Sequence, residues 1–161
     1  MIVTTFDEND VLYLVRNLEG FEQNKAIKSG IRSAMNVFKR KGQMNLRDRM
    51  LYHGKHTYAL ENSFLNHIKR NKLGGLSGFR RSTKWVQYEY AGNHAHWVDR
   101  GTKARYTTGK GKTGKVPAGV YRGIMPANHF WTDAFTTEEP KAVNLMMEAI
   151  KRNVERINAR R

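Results

Sequence analysis

The patterning of the chain predicts an α+β fold: an antiparallel sheet of about four strands packed against N-terminal helices and a long C-terminal helix, with a long flexible basic loop. Three observations carry this expectation. Apolar residues recur every three or four positions near both ends, the stretch from Ser82 to Tyr90 alternates with a period of two, and no strand–helix–strand alternation of a parallel sheet is visible. The length of 161 residues suffices for one ordinary core, so a single domain over 1–161 is expected.

Thr5-Phe6-Asp7-Glu8 has the spacing of a capping box, and Val11, Leu12, Val15 and Leu18 follow on one face until Gly20. A second helix is expected from about Phe21 to Arg40, with Ile27, Ile31, Ala34, Met35 and Phe38 on one stripe, a basic opposite face, and Gly42 beyond its end. From Asn45 the pattern stays helical through Leu46, Met50 and Leu51, breaks at Gly54, and resumes through Leu60, Phe64 and Ile68. Asn71 to Gly78 is glycine-rich and reads as a loop. Ser82 to Tyr90 reads as a strand, with Val86, Tyr88 and Tyr90 on one side and Trp85, Gln87 and Glu89 on the other. His94 to Val98 reads as a second strand or a turn into one, ended by Gly101.

No acidic residue lies between Asp99 and Asp133, while Arg100, Lys103, Arg105, Lys110, Lys112, Lys115 and Arg122 accumulate among glycines. Such a segment cannot bury a core, so residues 103–123 are expected to form a mobile basic loop whose flanks, near Tyr106 and Val120 to Ile124, pair as strands. After Pro140 the helical period returns through Val143, Met146, Met147, Ile150, Val154 and Ile157, and residues 156–161 form a basic tail.

The balance of 29 Lys+Arg against 14 Asp+Glu gives a net charge of +15, a field that attracts phosphate polymers, acidic proteins and anionic lipid alike. With 39% hydrophobic and 11% aromatic residues the chain is too apolar for a disordered basic tail. The absence of cysteine excludes a disulfide framework and a thiolate zinc site, which suits a reducing cytoplasm. Met1 to Asp10 lacks a basic region ahead of an apolar run, and nowhere does the chain approach the roughly 18 apolar residues needed to span a bilayer, so a soluble protein without membrane contact is expected.

Few residues suggest chemistry. Gly109-Lys110-Gly111-Lys112-Thr113-Gly114-Lys115 has the glycine and lysine spacing of a phosphate-binding loop, but Val116 stands where a magnesium-binding hydroxyl is needed and Pro117 obstructs the following helix. His94, His96 and Asp99 are the best candidates for part of a metal site, against the plainer reading of two partly exposed histidines flanking Trp97 at a sheet edge. Trp97 reads as a core or interface aromatic. His53 and His56 sit in a helix break and His67 on a helix, as solvent-facing or capping residues, and Glu138 and Glu139 precede the last helix at the positive end of its dipole. No nucleophile elbow is present. Catalytic residues, metal and cofactor are therefore not expected.

Three segments, taken in order, resemble a known family. Thr57-Tyr58-Ala59-Leu60-Glu61-Asn62-Ser63-Phe64 is similar to a Thr-Gly-x-Leu-x-x-Ser-apolar motif, with Tyr58 in place of the glycine. His94-Ala95-His96-Trp97-Val98-Asp99-Arg100-Gly101-Thr102 resembles an aromatic-Ala-x-x-Val-acid-x-Gly-Thr strand and turn. Ala127-Asn128-His129-Phe130-Trp131-Thr132-Asp133-Ala134 resembles an Ala-x-Pro-Phe-x-x-x-Ala stretch ahead of the final helix, with His129 in place of the proline. These are motifs of the tail-completion and minor tail proteins that close the head-proximal end of the tail in long-tailed double-stranded DNA bacteriophages, and their order covers most of the chain. The resemblance implies fold and assembly roles for Thr57, Leu60, Ser63, Ala95, Val98, Asp99, Gly101, Thr102, Phe130 and Ala134, and no catalytic residue. It also implies a homo-oligomeric ring, sixfold when assembled, between a head-side connector or stopper protein and the tail tube protein, in a virion made in the bacterial cytoplasm, with genomic DNA close by in the channel.

On the residues themselves, Gly101 permits a turn with positive φ in which backbone donors hold Asp99, and Phe130 with Trp131 anchors the last helix on the sheet. Lys103, Arg105, Lys110, Lys112, Lys115 and Arg122 are candidates for an arm that orders on a neighbouring subunit or faces DNA; Tyr106, Val116, Val120 and Tyr121 give it something to bury when a partner arrives. The main rival is a nucleic-acid-binding protein or metal-dependent nuclease using His94, His96 and Asp99, and a further one is a free regulatory or antitoxin-like protein.

Overall fold

In the computed structural model, residues 15–16, 20–50, 55–80, 92–109 and 117–160 are described, with the backbone alone at 55–58. Two long helices dominate: α1, Gly20–Arg49, and α4, Phe130–Asn158. Between them come α2 (Lys55–Asn62), the strands β1 (Phe64–Ile68) and β2 (Gly75–Phe79), a 3-10 turn over Gly92–His94, and the short helix α3 (Ala95–Arg100). β1 and β2 pair antiparallel from Phe64↔Phe79 to Ile68↔Gly75, so the sheet of the described residues has two strands. The architecture is α+β, with the sheet set against the N-terminal and C-terminal helices.

α1 and α4 pack antiparallel, since Ser29 meets Asn153 at one end and Asn45 meets Phe130 at the other. At about 1.5 Å per residue each is roughly 45 Å long. Two small residues on α1 set their separation. A Cβ on Gly30 would stand 2.6 Å from Ile150 Cγ1 and 2.8 Å from the Met146 carbonyl, and one on Gly42 would stand 2.9 Å from both the Phe64 and Trp131 rings. Gly42, expected beyond the end of the helix, is instead inside it, because a missing side chain there admits two aromatics.

The core divides along the helix pair. Toward the α4 C-terminus, Val15, Ala26, Ile150 and Val154 are buried, with Ile27, Met146, Met147 and Ile157 against them. Toward its N-terminus, Leu46, Leu60, Phe64, Ala95 and Phe130 are buried together, supported by Met50, Phe79, Val98 and Trp131. Phe64, Phe79, Phe130 and Trp131 meet edge to face, from 4.7 Å for Phe64–Phe79 to 5.9 Å for Phe64–Trp131, which suits the ring quadrupoles. Burying each such ring contributes about 1.5–3 kcal/mol.

Several local expectations are corrected. Phe64 and Ile68 belong to β1 rather than a helix; their spacing of four suits a strand equally well when intervening residues alternate outward. Gly75 to Gly78 lies in β2 rather than a loop, with Gly75 tight against Met35 and Ile31 of α1. His94 to Val98 is a 3-10 turn running into α3 and not a strand. The last helix begins ten residues ahead of Pro140, at Phe130, and Pro140 lies inside it. The expected strand Ser82–Tyr90 and most of the expected first helix lie outside the described residues.

Candidate functional site

The N-terminus of α4 is the point where the three motif segments meet. Four backbone N–H groups open a helix without intrahelical partners. Here a carboxylate from α3 meets two of them: Asp99 Oδ1 accepts from the Trp131 N–H at 2.8 Å and the Thr132 N–H at 3.1 Å, while Oδ2 accepts from the Thr132 hydroxyl at 2.6 Å. Asp99 is buried, and its charge sits at the positive end of the helix dipole. Its own carbonyl accepts the His129 N–H at 2.8 Å, and the Val98 carbonyl accepts the Asn128 N–H at 3.0 Å. α1 closes the junction from the other side. Asn45 donates to the Phe130 carbonyl at 3.1 Å, and Arg49 donates to the Asn128 carbonyl at 2.9 Å and to Asp133 Oδ2 at 2.6 Å.

The other motif residues surround this cap. Leu60 and Ser63 are buried, and the Ser63 hydroxyl donates to the Leu60 carbonyl at 2.6 Å. Ala95, Phe130 and Ala134 are buried and Val98 half-buried. Thr57 lies in α2, its side chain outside the described residues. Gly101 adopts φ 74° beside the backbone of Met125 and Ala127, and the Thr102 hydroxyl accepts the Met125 N–H at 3.0 Å. Asp99 is thus held by backbone donors, but those of α4 rather than of its own turn. His129 stands at φ 54°, which proline cannot adopt, so the chain departs here from the Ala-x-Pro-Phe pattern in geometry as well as identity.

Beyond Gly101 the chain forms an arm. Thr102 pairs with Met125, Arg105 with Arg122 and Gly123, and Thr107 with Gly119 and Val120; an isolated antiparallel bridge joins Tyr106 to Tyr121. This is the pairing of the loop flanks expected from the sequence. The two tyrosine rings lie 5.5 Å apart. Among the described residues of 102–127 none is buried, and Tyr106, Val120, Tyr121 and Ile124 are 59%, 42%, 54% and 58% exposed. Lys103, Arg105 and Arg122 are exposed on the arm; Lys110, Lys112 and Lys115, with most of the glycine- and lysine-rich segment from Gly109 to Lys115, lie outside the described residues.

His94, His96 and Asp99 are not brought together. Asp99 turns inward to α4, while His94 and His96 are exposed with their rings 4.9 Å and 5.1 Å from that of Trp97. Trp97 itself is exposed rather than part of the core. No group of three or more His, Cys, Asp or Glu among the described residues is placed to hold a metal. His67 is exposed on β1, not on a helix. No helix among the described residues is long and apolar enough to cross a membrane.

Two open grooves flank α1. One, of about 530 Å3, lies between Val37, Arg40 and Met44 of α1 and Lys141, Leu145 and Arg152 of α4. The other, of about 620 Å3, is lined by Lys25, Lys28 and Arg32 of α1 and by Arg70 of the turn between β1 and β2. The basic face of α1 was the sequence signal for both; nothing local signalled that Arg70 or Asn45 would join their distant partners. No protein-family model, curated protein or solved structure matches the chain.

Proposed function

We propose that this chain is a bacteriophage structural and assembly protein of the head–tail junction, a tail-completion or minor tail protein that acts as a homo-oligomeric ring and catalyses no reaction. The supporting observation is the arm. It is hydrogen-bonded across its own ladder yet buries none of its described residues, and it presents Tyr106, Val120, Tyr121 and Ile124 beside Lys103, Arg105 and Arg122. An arm with that composition has apolar area available to bury against another molecule, and heterologous contacts close into rings when the rotation between copies closes. The partners are further copies, the head-side connector or stopper, and the tail tube protein, with genomic DNA in the channel. The sheet of about four strands expected within the chain belongs here too, β1 and β2 being the two strands formed among the described residues.

The buried cap formed by Asp99 gives the nuclease alternative little support, because that carboxylate is already committed to three donors. The test is electron microscopy of lysates from the parent phage or prophage with the gene deleted, beside a complemented control. Filled heads and separate tails that join when the protein is added are expected. Normal infectious particles from the deletion would refute the junction role.

A further inference from the structure

The cationic groove of α1 has no part in the arm. Lys25, Lys28 and Arg32 bring three positive charges to it and Arg70 a fourth, and no Asp or Glu lines it. Ion pairs elsewhere engage Arg47 with Glu61, Arg49 with Asp133 and Lys141 with Glu138; among the described residues none includes these four cations. The groove walls are tied together. Lys28 Nζ donates to the Arg70 carbonyl at 2.6 Å, and Asn153 of α4 donates to Ser29 Oγ at 2.9 Å. Like charges held close repel, so an arrangement that fixes four of them around one cavity, with Asn24, Ser29 and Asn153 as neutral polar neighbours, is suited to an anionic ligand.

The charges are also spaced along the helix. Lys25, Lys28 and Arg32 follow at intervals of three and four, so they share one face of α1 over about 10 Å at 1.5 Å per residue, up to the point where Met35 and Asn36 meet β2 and β1. A single phosphate does not need that length, whereas a duplex presents a phosphate about every 3.4 Å along each strand. A lipid surface would need an apolar face to insert, and the groove offers Phe21 alone as a large exposed apolar side chain. We propose that this groove and stripe form a binding surface for the phosphate backbone of duplex DNA, contacted through Lys25, Lys28, Arg32 and Arg70 without base readout.

DNA binding at this surface does not require ring formation. A junction protein without it would still join heads to tails, and a DNA-binding chain without a junction role would still show the salt dependence below, so the two proposals fail separately.

The experiment is fluorescence anisotropy of a short labelled duplex with the purified full chain across a salt series. Binding is expected to weaken with salt, and Lys25→Glu/Lys28→Glu/Arg32→Glu is expected to weaken it about 100-fold and to make the log–log salt slope shallower by about 3. Lys103→Glu/Arg105→Glu/Arg122→Glu changes net charge equally and should weaken binding only about threefold, because nonspecific attraction alone is altered. Should the reversal variant lose its helical circular dichroism, Lys25→Gln/Lys28→Gln/Arg32→Gln decides instead, with about a tenfold loss expected. Equal losses in the groove and arm variants, no binding by the wild-type chain, preference for a single strand of the same sequence, or binding confined to anionic vesicles would each overturn the proposal.

Discussion

The Asp99 carboxylate caps a helix to which it does not belong: Oδ1 lies 2.8 Å from the Trp131 nitrogen, across 32 residues of chain that include the whole arm. The arm therefore leaves and returns at a single buried joint. Its base is fixed by the same contact that starts α4, while none of its described residues from 102 to 127 is buried.

Removing that cap tests how much the joint depends on it. Asp99→Ala leaves the Trp131 and Thr132 N–H groups and the Thr132 hydroxyl without their acceptor, and a buried unsatisfied donor costs about 1–3 kcal/mol. A loss of about 2–4 kcal/mol in urea unfolding is expected, with Asp99→Asn losing less because one oxygen acceptor remains. A change below about 0.5 kcal/mol would mean that the cap is not needed.

His129 permits a sharper contrast. At φ 54° a non-glycine residue carries roughly 1–2 kcal/mol of strain, so His129→Gly is expected to be neutral or stabilising by up to about 1 kcal/mol. His129→Pro cannot reach that φ and also removes the N–H donated to the Asp99 carbonyl at 2.8 Å. A loss of at least about 3 kcal/mol is expected in thermal unfolding. A proline variant as stable as wild type would show that the backbone at 129 relaxes to negative φ.

What was legible in the sequence depended on how local its cause was. The stripe of α1, the pairing of Tyr106 with the Val120–Ile124 segment, and the anchoring of the last helix by Phe130 and Trp131 follow from neighbours in the chain. The strands β1 and β2 did not. Leu60, Phe64 and Ile68 repeat at four and mimic a helix, and Gly75 and Gly78 read as loop when Gly75 is in fact required by the close approach of Met35. Pro140 read as a boundary because the tertiary contacts that carry α4 across it, the Asp99 cap and the burial of Phe130, come from residues far away or upstream. Of the candidate site, the arm and the residues of the joint were legible as residue types; the charges assembled in the α1 groove were not, since Arg70 reaches it only through the β1–β2 turn.

The glycines of the helix crossing oppose two effects of known size. Alanine gains about 1 kcal/mol over glycine in a helix interior, but overpacking a core costs about 1–3 kcal/mol. At Gly30 a Cβ would stand 2.8 Å from a backbone carbonyl that a rotamer change cannot move, so Gly30→Ala is expected to be destabilising by about 1–2 kcal/mol. Gly78→Ala meets nothing within 4 Å and is expected to be neutral or stabilising by up to about 1 kcal/mol. Chemical denaturation of both variants checks the order, and a stabilised Gly30→Ala would mean that α1 and α4 separate at no cost.

The arm separates stability from assembly. Tyr106 and Tyr121 touch each other and are more than half exposed, so Tyr106→Ser/Tyr121→Ser should shift unfolding by no more than about 1 kcal/mol, the scale of one cross-strand aromatic pair. If those rings are buried only on a neighbour, the same variant loses its assembly contact entirely, because two aromatic anchors near the centre of an interface each contribute about 2 kcal/mol or more. Complementation of a deletion phage is therefore expected to fail with the double serine variant while its melting curve stays near wild type. Full complementation by a normally folded variant would remove the arm from the assembly contact, and a collapsed melting curve would place the tyrosines in the stability of the single chain instead.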